Sequence, residues 1–395
     1  MQPAGTYLDH AATTPMRPEA VAAMQPFLAG TFGNPSGSHS VARAAKTALE
    51  QAREELAELL GARPDEVVLT AGGTEADNLA VKGAARAARA GGGIHDGPAP
   101  GIVTTAFEHK GVLASCDRLA SEGFRVARVT SGRDGILDLD ALGDALDEHT
   151  VVVSVMLVNN EVGTIQPLDA IAALVRERAP RAVLHTDAVQ AVPWLDVARH
   201  AAAADLVAVS AHKFGGPKGS GALVVRNGVM LEPLVEGGGQ ERGLRSGTSN
   251  VAGAAAMAAA LRVTCAQRAD EITRAGRLRD RLADHLLREV PGTVENGDRA
   301  RKVAGNAHLR FDGVEAEALL VALDFEGVCA AAGSSCASGA TEPSHVLTAM
   351  GLSMPEAAAS VRLSLGFSST DADVDRALEV IPAAVARLRA ATVPA

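Results

Sequence analysis

The residues that could do chemistry follow short apolar runs, at positions where strands would end. Lys213 follows DLVAVSAH and precedes a glycine-rich loop. A lysine at the ligand-binding edge of a sheet is a candidate Schiff-base former, because burial lowers its pKa and frees the amine. Asp187 ends the run RAVLHTD, where its carboxylate could pair with a cationic ligand nitrogen or simply cap a helix. Each residue alone has an ordinary structural explanation.

Gly72, Gly73 and Thr74 lie between a predicted strand (66–70) and a predicted helix (75–90). Backbone N–H groups, the threonine hydroxyl and the helix dipole would form an anion cradle at this turn. The spacing is not that of a P-loop, and a glycine turn with Thr74 as helix N-cap explains the same residues.

Further polar residues follow the other predicted strands. Alternation along the chain puts two of them, Ser210 and His212, on one side. The set is His109, Asn159, Asn160, Glu161, Gln190, Ser210 and His212. Together with Lys213, Asp187 and the cradle they supply a phosphate clamp, an amine for an aldehyde, a counter-ion for a ring nitrogen and a ring-stacking imidazole. Pyridoxal phosphate needs these four groups.

The elements that must position these residues alternate between strand and helix from about residue 64. Continuous apolar strands between amphipathic helices predict an α/β fold with a mainly parallel sheet covered on both faces, and ligands bind beyond the carboxyl ends of such strands. A long helix (251–290) and a smaller α+β unit follow. We predict a large cofactor-binding domain, 14–255, and a small domain built from 1–13 and 256–395.

Cys336 lies in AAGSSCASGA, among residues typical of a flexible or tightly turning segment. A small buried hydrophobe and a reactive thiol both fit this local sequence. The four cysteines form no CxxC pair, and the histidines do not cluster at metal-ligand spacing, so no metal site is predicted.

Composition excludes several classes of protein. A net charge of −10 and 3% aromatic residues argue against a nucleic-acid partner. The first residues lack a secretion-signal pattern, and the longest apolar stretch, 251–263, is too short for a membrane span. These features predict a soluble, reduced, cytoplasmic protein without a membrane partner.

Nine ordered motifs between about residues 7 and 366 carry a family resemblance. They are YLDHAATTP, GNPSGSH, TAGGTEADN, VNNEVGTIQP, HTDAVQ, SAHKFGGPKG, GLRSGTSN, GSSCASGATEPSHVL and RLSLG. The chain resembles the cysteine desulfurases, pyridoxal-phosphate enzymes of fold type I in the class V aminotransferase superfamily. The long segment around the cysteine resembles the subgroup linked to iron–sulfur cluster assembly and nitrogen fixation.

The resemblance implies a role for each matching position. Lys213 would bind the cofactor as a Schiff base, His109 would stack on its ring and assist proton transfer, and Asp187 would pair with the ring nitrogen. Gln190 would bind the ring hydroxyl. The phosphate would be held by Gly73, Thr74, Ser210 and His212, with Thr248 supplied by the other subunit of a homodimer. The substrate carboxylate would be held by Asn159 and Arg362, with Asn34 near the same pocket.

The implied reaction converts L-cysteine to L-alanine and transfers the sulfur to Cys336 as a persulfide. An iron–sulfur scaffold or a tRNA-thiolation enzyme would then accept the sulfur. A selenocysteine lyase and another class V enzyme remain alternatives, although an aminotransferase or a kynureninase needs no thiol. A non-catalytic sulfur-relay or scaffold protein would not need Lys213, Asp187, His109 and Cys336 together.

Overall fold

The computed structural model describes residues 5–91, 99–333 and 344–392. Cys336 therefore lies outside the described residues. The strands are β1 (Thr6–Tyr7), β2 (Val67–Thr70), β3 (Gly101–Thr105), β4 (Arg125–Val129), β5 (Thr150–Ser154), β6 (Val183–Asp187), β7 (Leu206–Ser210), β8 (Gly221–Val225), β9 (Thr293–Glu295), β10 (Asn306–Phe311), β11 (Val328–Cys329) and β12 (Ser360–Ser364). The α-helices are α1 (Pro18–Met24), α2 (Ser40–Leu59), α3 (Gly73–Ala90), α4 (Lys110–Ser121), α5 (Leu139–Ala145), α6 (Leu168–Arg178), α7 (Val197–His200), α8 (Val251–Glu289), α9 (Ala316–Phe325), α10 (His345–Ala349), α11 (Met354–Ala358) and α12 (Asp371–Thr392).

The main sheet has the strand order β2-β8-β7-β6-β5-β3-β4. Strand β8 is antiparallel to both of its neighbours, and the other pairings are parallel. Strands β3, β5 and β7 are buried along their whole length, as expected for a sheet that helices cover on both faces. The predicted α/β class with a mainly parallel sheet is confirmed.

A smaller unit carries two short sheets. Strands β12, β10 and β9 form an antiparallel sheet, and β1 pairs in parallel with β11. Leu8 belongs to the apolar core of this unit. Helix α8 contributes Leu261 to the core of the main sheet and Leu282 to that of the small unit. The proposed boundary near residue 255 thus falls inside α8, and the domain division stays a prediction.

Helices α1 and α2 were not predicted from the sequence, since the predicted elements begin at about residue 64. Helix α2 is amphipathic: its inner face buries mainly alanines and leucines, including Ala42, Ala45 and Leu49, and its opposite face is polar. Both helices pack against α8. In the described part of the chain, no helix is long and apolar enough to cross a membrane.

Candidate functional site

A cavity of about 190 Å³ lies at the carboxyl ends of the central strands. The turns after β2, β6 and β7 supply most of its walls, and the small unit supplies one residue from β12. Ten of the residues singled out from the sequence line it: Gly73, Thr74, His109, Asn160, Asp187, Gln190, Ser210, His212, Lys213 and Arg362.

The amino-terminal end of α3 forms one end of this cavity. Gly72 has φ +149°, which favours glycine, and a Cβ added to Gly73 would lie 2.7 Å from Cγ2 of Val189. Ser210 lies beside this turn, and His212 lines the same cavity. Burial lowers the pKa of His212 to about 4, so its imidazole is neutral at physiological pH. The turn therefore offers neutral donors and a helix N-terminus, which suit an anion.

Lys213 ends a 3₁₀ turn (Ala211–Lys213) that directly follows β7. Its Nζ donates hydrogen bonds to the carbonyl oxygens of Ala11, at 2.6 Å, and Ala12, at 2.8 Å. Gln190 Nε2 donates to the same Ala11 oxygen at 2.7 Å. The segment after β1 therefore orients the amine at the edge of the cavity.

Asp187 and His109 place a carboxylate and an imidazole in the same cavity. Asp187 is 5% exposed, and its Oδ1 accepts a hydrogen bond from the Val189 N–H at 2.8 Å. Burial raises the pKa of Asp187, and that rise is opposed by the imidazole of His109 when it is protonated, by the hydrogen bond from the Val189 N–H and by Lys213. A cationic ligand nitrogen beside this carboxylate would stabilise its ionised form.

The tautomer of His109 follows from its position as N-cap of α4. Its Nδ1 accepts a hydrogen bond from the Gly111 N–H at 3.0 Å. Burial lowers the pKa of His109, and Lys213 lowers it further, while Asp187 raises it. The neutral ring therefore carries its proton on Nε2.

Arg362 reaches the cavity from β12, and it is 1% exposed. One Nη donates to the carbonyl oxygen of Asn160 at 2.8 Å, and the other donates to Oδ1 of Asp9 at 2.8 Å. A backbone carbonyl and a carboxylate thus orient the guanidinium, whose fork geometry suits a ligand carboxylate.

Three predicted residues lie elsewhere in the described structure. Asn159 lines a neighbouring cavity of about 40 Å³, where its side chain donates to the Phe107 carbonyl oxygen and accepts from the Glu161 and Val162 N–H groups. Thr248 and Asn34 are exposed and do not line the main cavity of their own chain. Their predicted roles, like that of Asn159, stay predictions.

Comparison with known proteins identifies the family. The model of the family "Aminotransferase class-V" matches residues 6–377. The "IscS-like cysteine desulfurase" of Mycobacterium tuberculosis is 46% identical over 98% of this chain and 98% of its own length. The "Cysteine desulfurase IscS" of Dictyoglomus turgidum is 40% identical over 97% of this chain and 95% of its own length. The chain belongs to the cysteine desulfurase family.

Solved structures agree with this assignment. A "NIFS-LIKE PROTEIN" superimposes with a TM-score of 0.89 at 32% identity, over 97% of this chain and all of that one. The structure "SspA in complex with cysteine" superimposes with a TM-score of 0.79 at 32% identity, over 91% of this chain and 98% of that one. The second protein was thus solved with cysteine, the substrate class expected for a cysteine desulfurase.

Some residues at this desulfurase site escaped the search for polar groups directly after strands. Asp77 lines the cavity because it lies one helical turn beyond Gly73, and the i, i+4 spacing is the signal that could have revealed it. Asn160 was among the polar residues found after the strands, but the substrate role was predicted for Asn159, and only Asn160 lines the main cavity. Asp9 and His345 reach the site only through long-range contacts, which no local pattern reports.

Glu108, next to His109, is a fully buried carboxyl group in this desulfurase fold. Burial raises its pKa to about 8, although the Met156 N–H and the Thr105 hydroxyl donate to its Oε1 at 2.7 and 2.8 Å and lower the pKa. The group is therefore mainly a neutral acid at pH 7, whereas in the unfolded chain its pKa is near the ordinary value of 4.5.

Glu108→Gln should change how stability depends on pH. The folded pKa is raised, so the contribution of Glu108 is fully present below pH 4.5 and is lost as pH rises through 8. Relative to the glutamine variant, the wild type should lose up to about 1.4 kcal/mol of unfolding free energy per pH unit in this window. Urea unfolding of both proteins at pH 5 and pH 8 measures the difference. A difference that does not change with pH would contradict a neutral Glu108.

The cavity residues fit pyridoxal 5′-phosphate, the cofactor of this family. The α3 turn suits its phosphate, and Gly73 is a position where a Cβ would clash with Val189. Asp187 is a buried carboxylate that would form an ion pair with a cationic ring nitrogen. Lys213 supplies the amine, and it lines the same cavity as Gly73 and Asp187. In the described ranges, no cluster of three or more His, Cys, Asp or Glu residues could hold a metal ion.

Proposed function

We propose that this cysteine desulfurase binds pyridoxal 5′-phosphate and L-cysteine in the main cavity, and that it transfers the substrate sulfur to Cys336. The observation that carries the proposal is the meeting of Lys213, Asp187, His109 and Arg362 around one cavity. L-Cysteine and the enzyme thiol become L-alanine and an enzyme persulfide. The carbon–sulfur bond breaks, a sulfur–sulfur bond forms and Cβ gains a hydrogen, so no external oxidant is needed.

The residues that would hold the cofactor would bind its aldehyde carbon, its ring or its phosphate. Lys213 would bind it covalently, Asp187 would pair with the ring nitrogen, and Gln190 would bind the ring hydroxyl. The phosphate end would lie on the α3 turn, at Gly73, Thr74, Ser210 and His212. When bound, the cofactor supplies an electron sink that makes the substrate Cα–H acidic and opens the substrate sulfur to attack by a thiolate.

Lys213 and His109 would carry out the proton transfers of the reaction. Lys213 Nζ lies at the cavity edge, where it donates to two carbonyl oxygens. As a neutral amine it would take the proton from the substrate Cα. His109 carries its proton on Nε2, because Nδ1 accepts from the Gly111 N–H. The imidazole can therefore donate into the cavity from Nε2 and can stack on a planar ligand.

Arg362 would bind the substrate carboxylate through its guanidinium. Two contacts from other elements fix its orientation, one from the Asn160 carbonyl oxygen and one from Asp9. The guanidinium is almost completely buried, so an anionic ligand would compensate the cost of burying its charge. Asn159 is proposed to assist, and it holds the turn that presents Asn160.

Asp9→Asn should weaken substrate binding, because the variant keeps the shape of the side chain but loses the charge that orients Arg362. A charge-assisted hydrogen bond is worth about 1.5–3 kcal/mol, so KM for L-cysteine should rise about tenfold or more while kcat changes by less than about threefold. Steady-state kinetics measure both parameters. Asp65→Asn, at an exposed carboxylate distant from the cavity, is the control. A KM equal to that of the control would show that Asp9 does not orient the clamp.

The overall reaction is tested with the purified holoenzyme. L-Cysteine with dithiothreitol should yield alanine and sulfide in equal amounts, and the protein should be yellow. Omission of the reductant should leave the first sulfur on the protein. Alanine from selenocysteine but not from cysteine would instead identify a selenocysteine lyase, and no alanine from either would contradict the proposal.

We further propose a cytoplasmic homodimer that passes sulfur to an iron–sulfur scaffold or a tRNA-thiolation enzyme. Thr248 is exposed and does not line the cavity of its own chain, which suits a residue that completes the phosphate cradle of a second subunit. Asn34 is exposed as well, and we propose it near the substrate pocket of the assembled dimer.

A further inference from the structure

The buried carboxylate of Glu161 contacts residues on both sides of segment 334–343. Glu161 is 1% exposed and lies in the turn after β5. Its N–H donates to Oδ1 of Asn159 at 2.9 Å, and its carbonyl oxygen accepts from Nδ2 of Asn306 at 2.9 Å. The backbone of Glu161 is therefore fixed within the turn after β5 and to β10 of the small unit, and the side chain extends from this fixed backbone.

On the amino-terminal side, Gly333 lies directly against this carboxylate. A Cβ added to Gly333 would be 2.9 Å from Oε2 of Glu161, and Gly333 has φ +73°. The positive φ favours glycine, and a side chain at this position would press on the carboxylate. Two residues earlier, Ala331 exchanges two backbone hydrogen bonds with Arg362, so the chain that enters the segment is joined to the proposed substrate clamp.

On the carboxyl-terminal side, the Ser344 hydroxyl donates to the same oxygen, Oε2 of Glu161. The Ser344 oxygen also accepts from the Leu347 N–H at 3.2 Å, which makes it the N-cap of α10. The next residue, His345, donates from Nε2 to the carbonyl oxygen of Glu108 at 2.8 Å, beside His109. One serine thus starts a helix and joins it to Glu161.

We propose that Glu161 is a positioning residue for sulfur transfer: its carboxylate binds the Ser344 hydroxyl and packs against Gly333, at the two ends of the ten-residue stretch that contains Cys336. This inference rests on the proposed function, since it presumes that Cys336 receives the sulfur. Gly333 and Ser344 are the described residues that border this stretch, so contacts that fix them fix where the chain enters and leaves it. Glu161 acts on thiol delivery, and Arg362 acts on substrate binding.

Ser344→Ala in the holoenzyme tests the proposal with two separate readouts. Absorbance titration with L-cysteine reports substrate binding, and the mass of the Cys336 peptide after rapid quenching without reductant reports the rate of persulfide formation. The rate should fall at least tenfold, because small misplacements of a reacting group cost one to two orders of magnitude. Half-saturation in the titration should stay within about twofold of wild type.

Three further variants separate positioning from loss of a helix cap. Ser344→Thr keeps the hydroxyl that caps and donates, and it should restore the rate. Ser353→Ala removes the corresponding cap of α11, away from Glu161, and should leave the rate unchanged. Gly333→Ala places a methyl group against the carboxylate at the amino-terminal end of the segment. It should also lower the rate of persulfide formation, and it tests the proposal even if Ser344→Ala folds poorly.

A persulfide rate in Ser344→Ala equal to that in Ser353→Ala would overturn the inference. Equal losses in substrate binding and in persulfide rate would also overturn it, because Glu161 would then act on the pocket. A wild-type enzyme that forms no alanine would instead refute the proposed function, so the two failures are distinguishable.

Discussion

Lys213→Ala is expected to lose covalent attachment of the cofactor and to lower L-cysteine turnover by about 10³-fold or more. The amine has two proposed duties, to bind the cofactor and to take the substrate Cα proton, and alanine can do neither. The Lys213 amine also donates to two carbonyl oxygens of the segment after β1, so its removal should also lower the stability of the protein modestly. Borohydride reduction followed by mass spectrometry should show the cofactor mass on the wild type and not on the variant.

Lys218→Ala is the matched control for this prediction. Lys218 is an exposed lysine of the same glycine-rich loop, and it does not line the main cavity. The control should retain both the covalent cofactor mass and the turnover. Cofactor mass on Lys213→Ala after reduction would refute the assignment of the binding lysine.

Cys336→Ala is expected to abolish sulfide release, by at least about 10³-fold, while the protein keeps its colour and its response to L-cysteine. The reason is that the binding residues Lys213, Asp187 and Arg362 are untouched and only the sulfur acceptor is lost. Sulfide and alanine assays with dithiothreitol measure the loss, and absorbance spectra with and without L-cysteine measure the retained binding.

Cys329→Ala controls for the general loss of a thiol in the same part of the chain. Cys329 lies in β11, where burial and the carboxylates of Asp324 and Asp9 raise its pKa and so disfavour the thiolate. This variant should release sulfide at the wild-type rate. Full activity in Cys336→Ala together with lost activity in Cys329→Ala would move the nucleophile to Cys329.

The two largest predicted effects, with those of Asp9 and Ser344, divide the proposed reaction into separate stages. In the proposed reaction, Lys213 would govern cofactor attachment and proton transfer, Asp9 would act through the Arg362 clamp, and Ser344 would act through Glu161 on persulfide formation. Each stage has its own readout, since reduced mass, KM and the mass of the Cys336 peptide report different events. The variants can therefore be compared without assuming which stage limits turnover.

The sequence alone determined the residues that follow the central strands. Carboxyl ends of parallel strands meet at one edge of a sheet, so Asp187, Lys213 and the turn at Gly73 had to lie close together once the strands were predicted. The positions directly after the strands also indicated His109. These conclusions need only local patterns, because the periodicity of each strand and the glycines of each turn are encoded within a few residues.

The tertiary structure decided the contacts that join distant segments. Asp9 and Arg362 are 353 residues apart in the chain, and the Ser344 hydroxyl reaches Glu161 across 183 residues. The folded chain also shows that Asn160 lines the main cavity, whereas its neighbour Asn159 hydrogen-bonds within the turn. The physical reason is that burial and pairing depend on what packs against a residue from elsewhere in the chain. For the same reason, the burial that keeps Glu108 neutral and lowers the pKa of His109 became visible only in the folded protein.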